Sequence, residues 1–543
     1  MGRQSPLVAR PPRTVKVAVV GSGLAGLTAA HLVATSSTDD VEFEVHLFEK
    51  SAVLGMDSHS VSIPILQKGE GSEILWRVDV PMRSFQGGYY PQLIALYKAI
   101  GVKFRQSDFS YSFSKLTGQS ENRSITTFMI YNGASGRAGI SMPSAFWTSM
   151  KGTTYPFHFI SNILAVFMFI GSTLLLAFNY IRISLLSAPP FRPAPDLTFG
   201  DWVEHSSPKG ILARTIGLDA KWREFCMAII VPLFSAVCTA PSEDILAHPV
   251  QEFLDYIWLT LFTHHYVVMN GVRDVVRRLA EPVHHVHTST PIISMQRDPQ
   301  DPSKVSISTG PDSWHAGFSH VVFATQANSA VPLLSSYCAS LSKKSQQRPK
   351  IDDLLACLRS FTYRRNIVVN HTDGTIMPDC AKDRRDLNLI DALHLEKHDA
   401  NDVCVPTSFT MATHVLPLPS HLKPLTPAYY QTTNPIIPPT DGSIISVTSL
   451  ERAVLTVEAK KALQDLAKEE RKWWQSQGRG RMSLGKLQGA GRRDSSAEPG
   501  IWFCGSYAHG GIPLLEGCVV SAKNVVNMGI LPCEGLIPKP RGW

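Results

Sequence analysis

No CxxC pair and no metal-type Cys/His spacing occurs among the nine cysteines, at 226, 238, 338, 357, 380, 404, 504, 518 and 533, and their number is odd. A disulfide framework and a zinc finger are both excluded, and the thiols read as reduced, in a chain facing the cytosol. Long basic runs are also missing. Lys and Arg total 52 against 45 Asp and Glu, a formal +7 spread over 543 residues, which leaves no electrostatic footprint for nucleic acid. Charge is scarce altogether, at 18% against about 25% in an average soluble chain. With 44% apolar residues, disorder and coiled coil are excluded and contact with a membrane is expected.

The N-terminus lacks the apolar core of a signal peptide. MGRQSPLVARPPRT carries three arginines and two adjacent prolines, and 1–14 reads as a loose basic tail. Pro6 stands where N-myristoylation needs Ser or Thr. No internal repeat is present. Asn122 and Asn370 open Asn-x-Ser/Thr sequons that read as chance matches in a chain that is not secreted.

One stretch lacks charge completely. The thirty residues 152–181 contain no Asp, Glu, Lys or Arg, and fifteen of the twenty from Phe159 to Phe178 are strongly apolar. Length and composition qualify this segment as a membrane helix. A single crossing, however, would put the two ends of the chain on opposite sides of the bilayer. Three readings stay open for 152–187: a monotopic, membrane-associating anchor, which connectivity favours; a buried core helix; and a true crossing. Asn162 and Gly171-Ser172-Thr173 offer breaks at which two short helices would dip in and return. An anchor here implies a membrane-associated protein on the cytosolic face, with a lipophilic substrate.

The motif that carries chemistry begins at Val15. VKVAVV is a β-branched run suited to a buried parallel strand, and it enters GSGLAG and then the apolar stretch LTAAHLVA. In this strand, turn and helix, Gly21 permits the turn, Gly23 lets the backbone approach a pyrophosphate, and Gly26 lets helix and strand pack closely. The helix N-terminus adds amide hydrogens and partial positive charge. A second strand, EFEVHLFEK, ends in Glu49, 23 residues after Gly26, where an acid would grip the adenosine ribose. FAD and NAD share this fingerprint.

Near the other end stands GIWFCGSYAHGGIPLLEGCVVSAKNVVNMGIL, 500–531, a short buried strand, a glycine turn and a helix opening around Leu515 to Gly517. Here the sequence resembles the flavin-containing amine oxidase superfamily. Within it, the chain is similar to the branch associated with cyclopropane-fatty-acid synthases. That likeness runs through LGMDSHS (54–60), VDVPMRSFQGGYYPQLIALYKAIGV (78–102), FCMAIIVPLFSAVCTAPSEDIL (225–246), VMNGVRDVVRRLA (268–280), TPIIS (290–294), HVVFATQA (320–327), NHTDGTIMP (370–378) and QTTNP (431–435). Two places depart from the pattern: the paired glycine after the first acid reads Gly55-Met56, and the glycine-bearing stretch near the flavin reads Val80-Pro81-Met82-Arg83.

The resemblance implies an α/β fold with a discontinuous Rossmann-type FAD-binding domain (15–66, 268–330, 495–532) and an interleaved α+β substrate domain (67–267, 331–494) that carries the apolar insertion. It implies FAD held by Gly21, Gly23, Gly26, Glu49, the Ile292 backbone, Gly505, Glu516 and Gly517. Cysteine is absent between Cys404 and Cys504, where covalent relatives attach their flavin, so the FAD is expected to be non-covalent. Arg83, Tyr507 and His509 are the candidate catalytic residues. The expected activity is hydride transfer from a lipid, fatty acyl chain or amine to flavin. A double-bond isomerase and a non-catalytic membrane scaffold are the alternatives. No metal is expected: the groups His264-His265 and His284-His285-His287 lack a carboxylate cluster, and adjacent histidines diverge. Residues 468–499, rich in Arg, Gly and Ser, read as an exposed flexible loop.

Overall fold

The computed structural model describes residues 11–66, 73–118, 122–148, 157–392, 401–418, 428–493, 497–538 and 543. Its organising element is a sheet of six strands in the order 285–287, 41–48, 13–20, 320–323, 500–503, 490–491. The first five are parallel and the last is antiparallel. The β-branched run predicts this burial. Val15, Val17 and Val19 feed one core layer while Ala18 and Val20 feed the other, since side chains alternate along a strand.

Helices Leu24–Ala34 and Leu515–Val525 pack together on one face. Helices Ala327–Ser340 and Arg348–Arg359 cover the other, with a three-stranded meander, 294–297, 305–310 and 313–318, at its edge. Sheet strands thus come from the two ends and the middle of the chain, and the closing strand and helix complete the sheet that the first strand begins. The fold is α/β and Rossmann-like.

A second sheet of eight strands runs in the order 444–454, 362–371, 430–433, 411–415, 387–391, 111–117, 124–131, 140–141. A helical block, 157–260, is inserted between its two groups of strands. Asn370, which opens a sequon, is fully buried there and binds Ser446 and Gln431.

Three expectations change. The tail read over 1–14 is already strand at Arg13, which pairs with Val41 while its guanidinium meets Glu534; residues 1–10 lie outside the described part. The segment 468–499 is not an open loop. Ala467–Glu470 and Arg481–Leu484 form a hairpin, and Leu487, Gln488 and Ala490 are buried, Gln488 through bonds to the Phe503 backbone.

The apolar segment is one continuous helix, Phe157–Ser187, not two short ones. Gly171 does not break it, and Thr173 bonds back to the Phe169 carbonyl within the helix. Nor is it a core helix, because only 11% of its apolar window is buried. One stripe, Ser161, Ala165, Asn179, Ile183 and Ser187, is buried, at spacings of four and fourteen residues that return to one helix face. Ile160, Phe167, Leu174, Ile181 and Leu185 face outward, each about 60% exposed or more.

Candidate functional site

The first glycine turn follows from three steric facts. Gly21 adopts φ +94°, which a side chain disfavours, and its N–H donates to the Phe48 carbonyl (2.8 Å). A Cβ on Gly26 would lie 1.9 Å from the Gly21 carbonyl oxygen, so only glycine lets the helix close on the strand. A Cβ on Gly23 would meet nothing within 4 Å. The space before the helix N-terminus is therefore open to a ligand.

Glu49 ends the second strand, buried beside this turn. One carboxylate oxygen accepts from the Ser22 amide (3.0 Å) and hydroxyl (2.5 Å), the other from the Ser51 amide (2.9 Å). The Ser22 hydroxyl also accepts from the Gly55 amide (2.8 Å), and a Cβ on Gly55 would lie 1.8 Å from the Ser22 carbonyl. Gly55 is thus sterically required, whereas Met56 is buried in the helix-side core and the departure from a glycine pair is absorbed there. The chain from His287 to Thr290 bonds to both sides of the Glu49 backbone, and Ile292 follows two residues on, half-buried.

At the closing turn, the Gly505 amide donates to Ser521 Oγ (2.9 Å), which donates back to the Gly505 carbonyl (3.0 Å). A Cβ on Gly517 would lie 2.8 Å from the Ser506 carbonyl, so this helix too rests directly on its turn. Both helix N-termini, at Leu24 and Leu515, follow the carboxyl ends of strands in one parallel sheet, which is where such sheets bind ligands. Glu516 has a structural task. Its carboxylate accepts from the Gln92 and Leu93 amides (2.9 Å each) and caps helix Pro91–Ala99; burial pushes its pKa up to about 7.

The 79–83 stretch is clamped from the other sheet. Gln431 accepts from the Met82 amide (2.5 Å) and donates to the Asp79 carbonyl (3.0 Å), while Asn370 steadies it (2.9 Å). Arg83 donates to the Met56 carbonyl (3.0 Å). Burial lowers its pKa and the Asp79 carboxylate opposes that shift; the Arg452 guanidinium lies near enough to add repulsion. Among the described residues, neither Arg83 nor Arg452 makes an ion pair.

Tyr507 and His509 are both deeply buried, but they differ. Tyr507 packs edge-on to Phe361 (5.0 Å) inside the second core layer, its hydroxyl has no hydrogen-bond partner among the described residues, and burial raises its pKa. Both side chains thus lie buried just after the closing turn, Tyr507 on the side of the second core layer. His509 is held neutral, burial lowering its pKa to about 4, and its Nδ1 lacks a partner among the described residues.

Sequence reasoning passed over Ser22, Gln431 and Arg452. Ser22 is a variable position of the glycine motif, Gln431 sits in the quoted QTTNP, and nothing in the sequence marked Arg452. Nor do all the histidines diverge. His285 and His287 share one strand face with His46, because residues two apart on a strand point the same way. An apolar cavity of about 510 Å³ lies elsewhere, between the exposed helix and the second sheet, lined by Met129, Phe146, Met168, Phe169, Leu176 and Phe225.

Comparison with known proteins agrees on the first unit. Residues 19–100 match the family model of the NAD(P)-binding Rossmann-like domain. No curated protein matches the chain. Among solved structures, cyclohexylamine oxidase from Brevibacterium oxydans IH-35A is similar at 11% identity and TM-score 0.48, over 95% of this chain and 99% of that one. Putrescine oxidase bound to putrescine is similar at 13% identity and TM-score 0.47, over 96% and 100%. A CLA-producing fatty acid isomerase from P. acnes is similar at 12% identity and TM-score 0.48, over 94% and 97%.

Proposed function

We propose that this protein is a membrane-associated, FAD-dependent oxidoreductase that takes hydride from a lipophilic substrate carrying a carboxylate. The observation that carries this reading is the meeting of two glycine turns, from opposite ends of the chain, at the carboxyl edge of one parallel sheet. Bound there non-covalently, FAD supplies a two-electron acceptor.

The chain's own residues supply the rest. Open space at Gly23 admits a pyrophosphate to the amides at the start of the first helix. Glu49 retains one unused lone pair for a ribose hydroxyl, since a carboxylate accepts about four hydrogen bonds and three are taken. The Ile292 backbone lies beside that acid for an adenine. Gly505 and Gly517 bring the N-terminus of the second helix close, and its dipole favours negative charge on a reduced ring. Glu516 contributes through its backbone, its carboxylate being engaged. Arg83 and Arg452, which make no ion pair among the described residues, bind the substrate carboxylate and disfavour an ammonium. Neutral His509 and the Tyr507 hydroxyl are the candidate proton carriers.

The exposed apolar stripe of helix Phe157–Ser187 supports a monotopic contact on the cytosolic face: the helix lies along the protein and offers its outer side to lipid. The apolar cavity beneath it suits an acyl chain. Anaerobic mixing tests the substrate class. A long-chain fatty acid should bleach the flavin and the matching alkylamine should not; bleaching by the amine alone would overturn the carboxylate assignment. Product formation with the yellow colour retained would instead indicate isomerisation.

A further inference from the structure

The edge of the parallel sheet carries a cluster of imidazoles, one of them on His287, whose carbonyl accepts from the Glu49 amide. His46 lies on strand Val41–Phe48, His287 on strand His285–His287 and His315 on the meander strand Ser313–Phe318. One nitrogen of each falls within 4.8 Å of those of the other two. The rings of His46 and His287 stack (centroids 5.3 Å, 12° apart), and His315 stands edge-on to His287 (5.0 Å, 64°). Phe48 and Phe318 form an apolar floor, the first stacked on His287 at 4.7 Å and the second edge-on to His46 at 5.3 Å.

The tautomer of His46 is fixed by its neighbours. Glu44 lies 2.8 Å from His46 Nε2 and is itself paired with Lys16 (3.0 Å). A carboxylate only accepts, so the ring proton sits on Nε2 and Nδ1 presents a bare lone pair. That Nδ1 is 3.1 Å from His287 Nε2. Two nitrogens bound to one tetrahedral ion at ~2.0–2.1 Å stand about 3.3 Å apart. A carboxylate behind a ligating histidine is also the usual outer support of such an ion.

We propose that His46, His287 and His315 form a three-histidine site for a divalent transition-metal ion of the zinc class, with Glu44 orienting His46. Its ligands come from three strands, so the ion would tie the meander to the parallel sheet. Imidazole ligands favour zinc, copper or nickel over magnesium or calcium.

Zinc sulfate titrated into the metal-freed full chain, in competition with a chromophoric chelator, tests this. One equivalent should bind and raise the melting temperature. His287→Ala and His315→Ala should each weaken binding roughly 100-fold, and Glu44→Gln by about 10-fold, the range seen when outer supports are lost. His284→Ala, a neighbour outside the cluster, should bind as the parent does. X-ray absorption of the zinc-loaded chain should show three nitrogens at about 2.0 Å. Because His315 sits on the meander edge, flavin content and circular dichroism of His315→Ala report whether the fold is intact. Absence of stoichiometric binding in the parent, or parent-like binding in a folded His315→Ala variant, would overturn the proposal; the stacked histidines would then be joined only by a hydrogen bond.

Discussion

Gly23 and Gly26 stand three residues apart, yet substitution at each should fail in a different way. At Gly23 the backbone is extended (φ −61°, ψ 178°), open to any residue, and an added Cβ touches no protein atom. Gly23→Val should leave the melting temperature of the cofactor-free protein within about 2 °C, because surface changes of this kind stay within roughly 0.5 kcal/mol. It should nonetheless abolish flavin retention. Side-chain atoms before the helix N-terminus displace a pyrophosphate from its amides, and losing two charge-assisted hydrogen bonds at about 1.5–3 kcal/mol each weakens binding roughly 10²- to 10⁴-fold. At Gly26 the same Cβ would sit 1.9 Å from the Gly21 carbonyl, so helix and strand must separate by more than an ångström. Overpacking of that kind costs about 1–3 kcal/mol or more, and Gly26→Ala should lower the melting temperature even without cofactor. Flavin absorbance per protein and thermal melting of both variants, with and without added FAD, measure the contrast. Retention of flavin by Gly23→Val, or equal melting losses in the two variants, would refute the steric argument.

Arg83→Ala and Arg452→Ala should each raise KM for a carboxylate substrate about 10- to 100-fold, the value of a charge-assisted hydrogen bond, while KM for its methyl ester changes little; equal effects on acid and ester would remove the carboxylate role. Glu516 has a folded pKa of about 7 against an ordinary 4.5, so between those values the folded protein keeps a proton that the unfolded chain has released. Its contribution to stability therefore falls as pH rises through that window and is level above it, by on the order of 3 kcal/mol. Denaturant titrations of the parent and Glu516→Gln across pH 4.5–8 should show that divergence, and parallel curves would contradict it. On the apolar helix, Phe167→Ser, Leu174→Ser and Leu185→Ser combined should leave melting unchanged but reduce sedimentation with phospholipid vesicles, since each exposed side chain contributes about 1.5–3 kcal/mol when buried in lipid. Ile183→Ala, on the packed stripe, should cost roughly 2–5 kcal/mol of stability with vesicle binding intact; the opposite pattern would mean that the two faces are wrongly assigned.

The strand, glycine turn and helix at 15–34 were legible because their constraints are local: a β-branched run, three glycines at fixed spacing, and an acid at the next strand end. The closing turn at Gly505 was legible for the same reason. What sequence could not supply were groups that matter through contacts far along the chain. Gln431 holds Met82 across 349 residues, and Arg452 faces Arg83 from a strand with no motif. Glu516 shows the converse, a residue placed correctly whose carboxylate is spent on a helix 423 residues away. Tyr507 follows the turn as expected, but its direction depends on Phe361, which no local pattern names. The apolar helix was visible in composition. Its continuity was not, because Gly171 within a helix costs only about 1 kcal/mol against alanine and the surrounding helix formers outweigh it. The histidines at 46, 287 and 315 meet only because the parallel strands and the meander bring them to one edge.

The most direct test of the central claim is the visible spectrum of the detergent-purified protein, followed by denaturation and chromatographic identification of what is released. The account predicts the visible absorption bands of an oxidised flavin and release of intact FAD without proteolysis. A folded protein that is colourless, and that stays so after incubation with FAD, would contradict it.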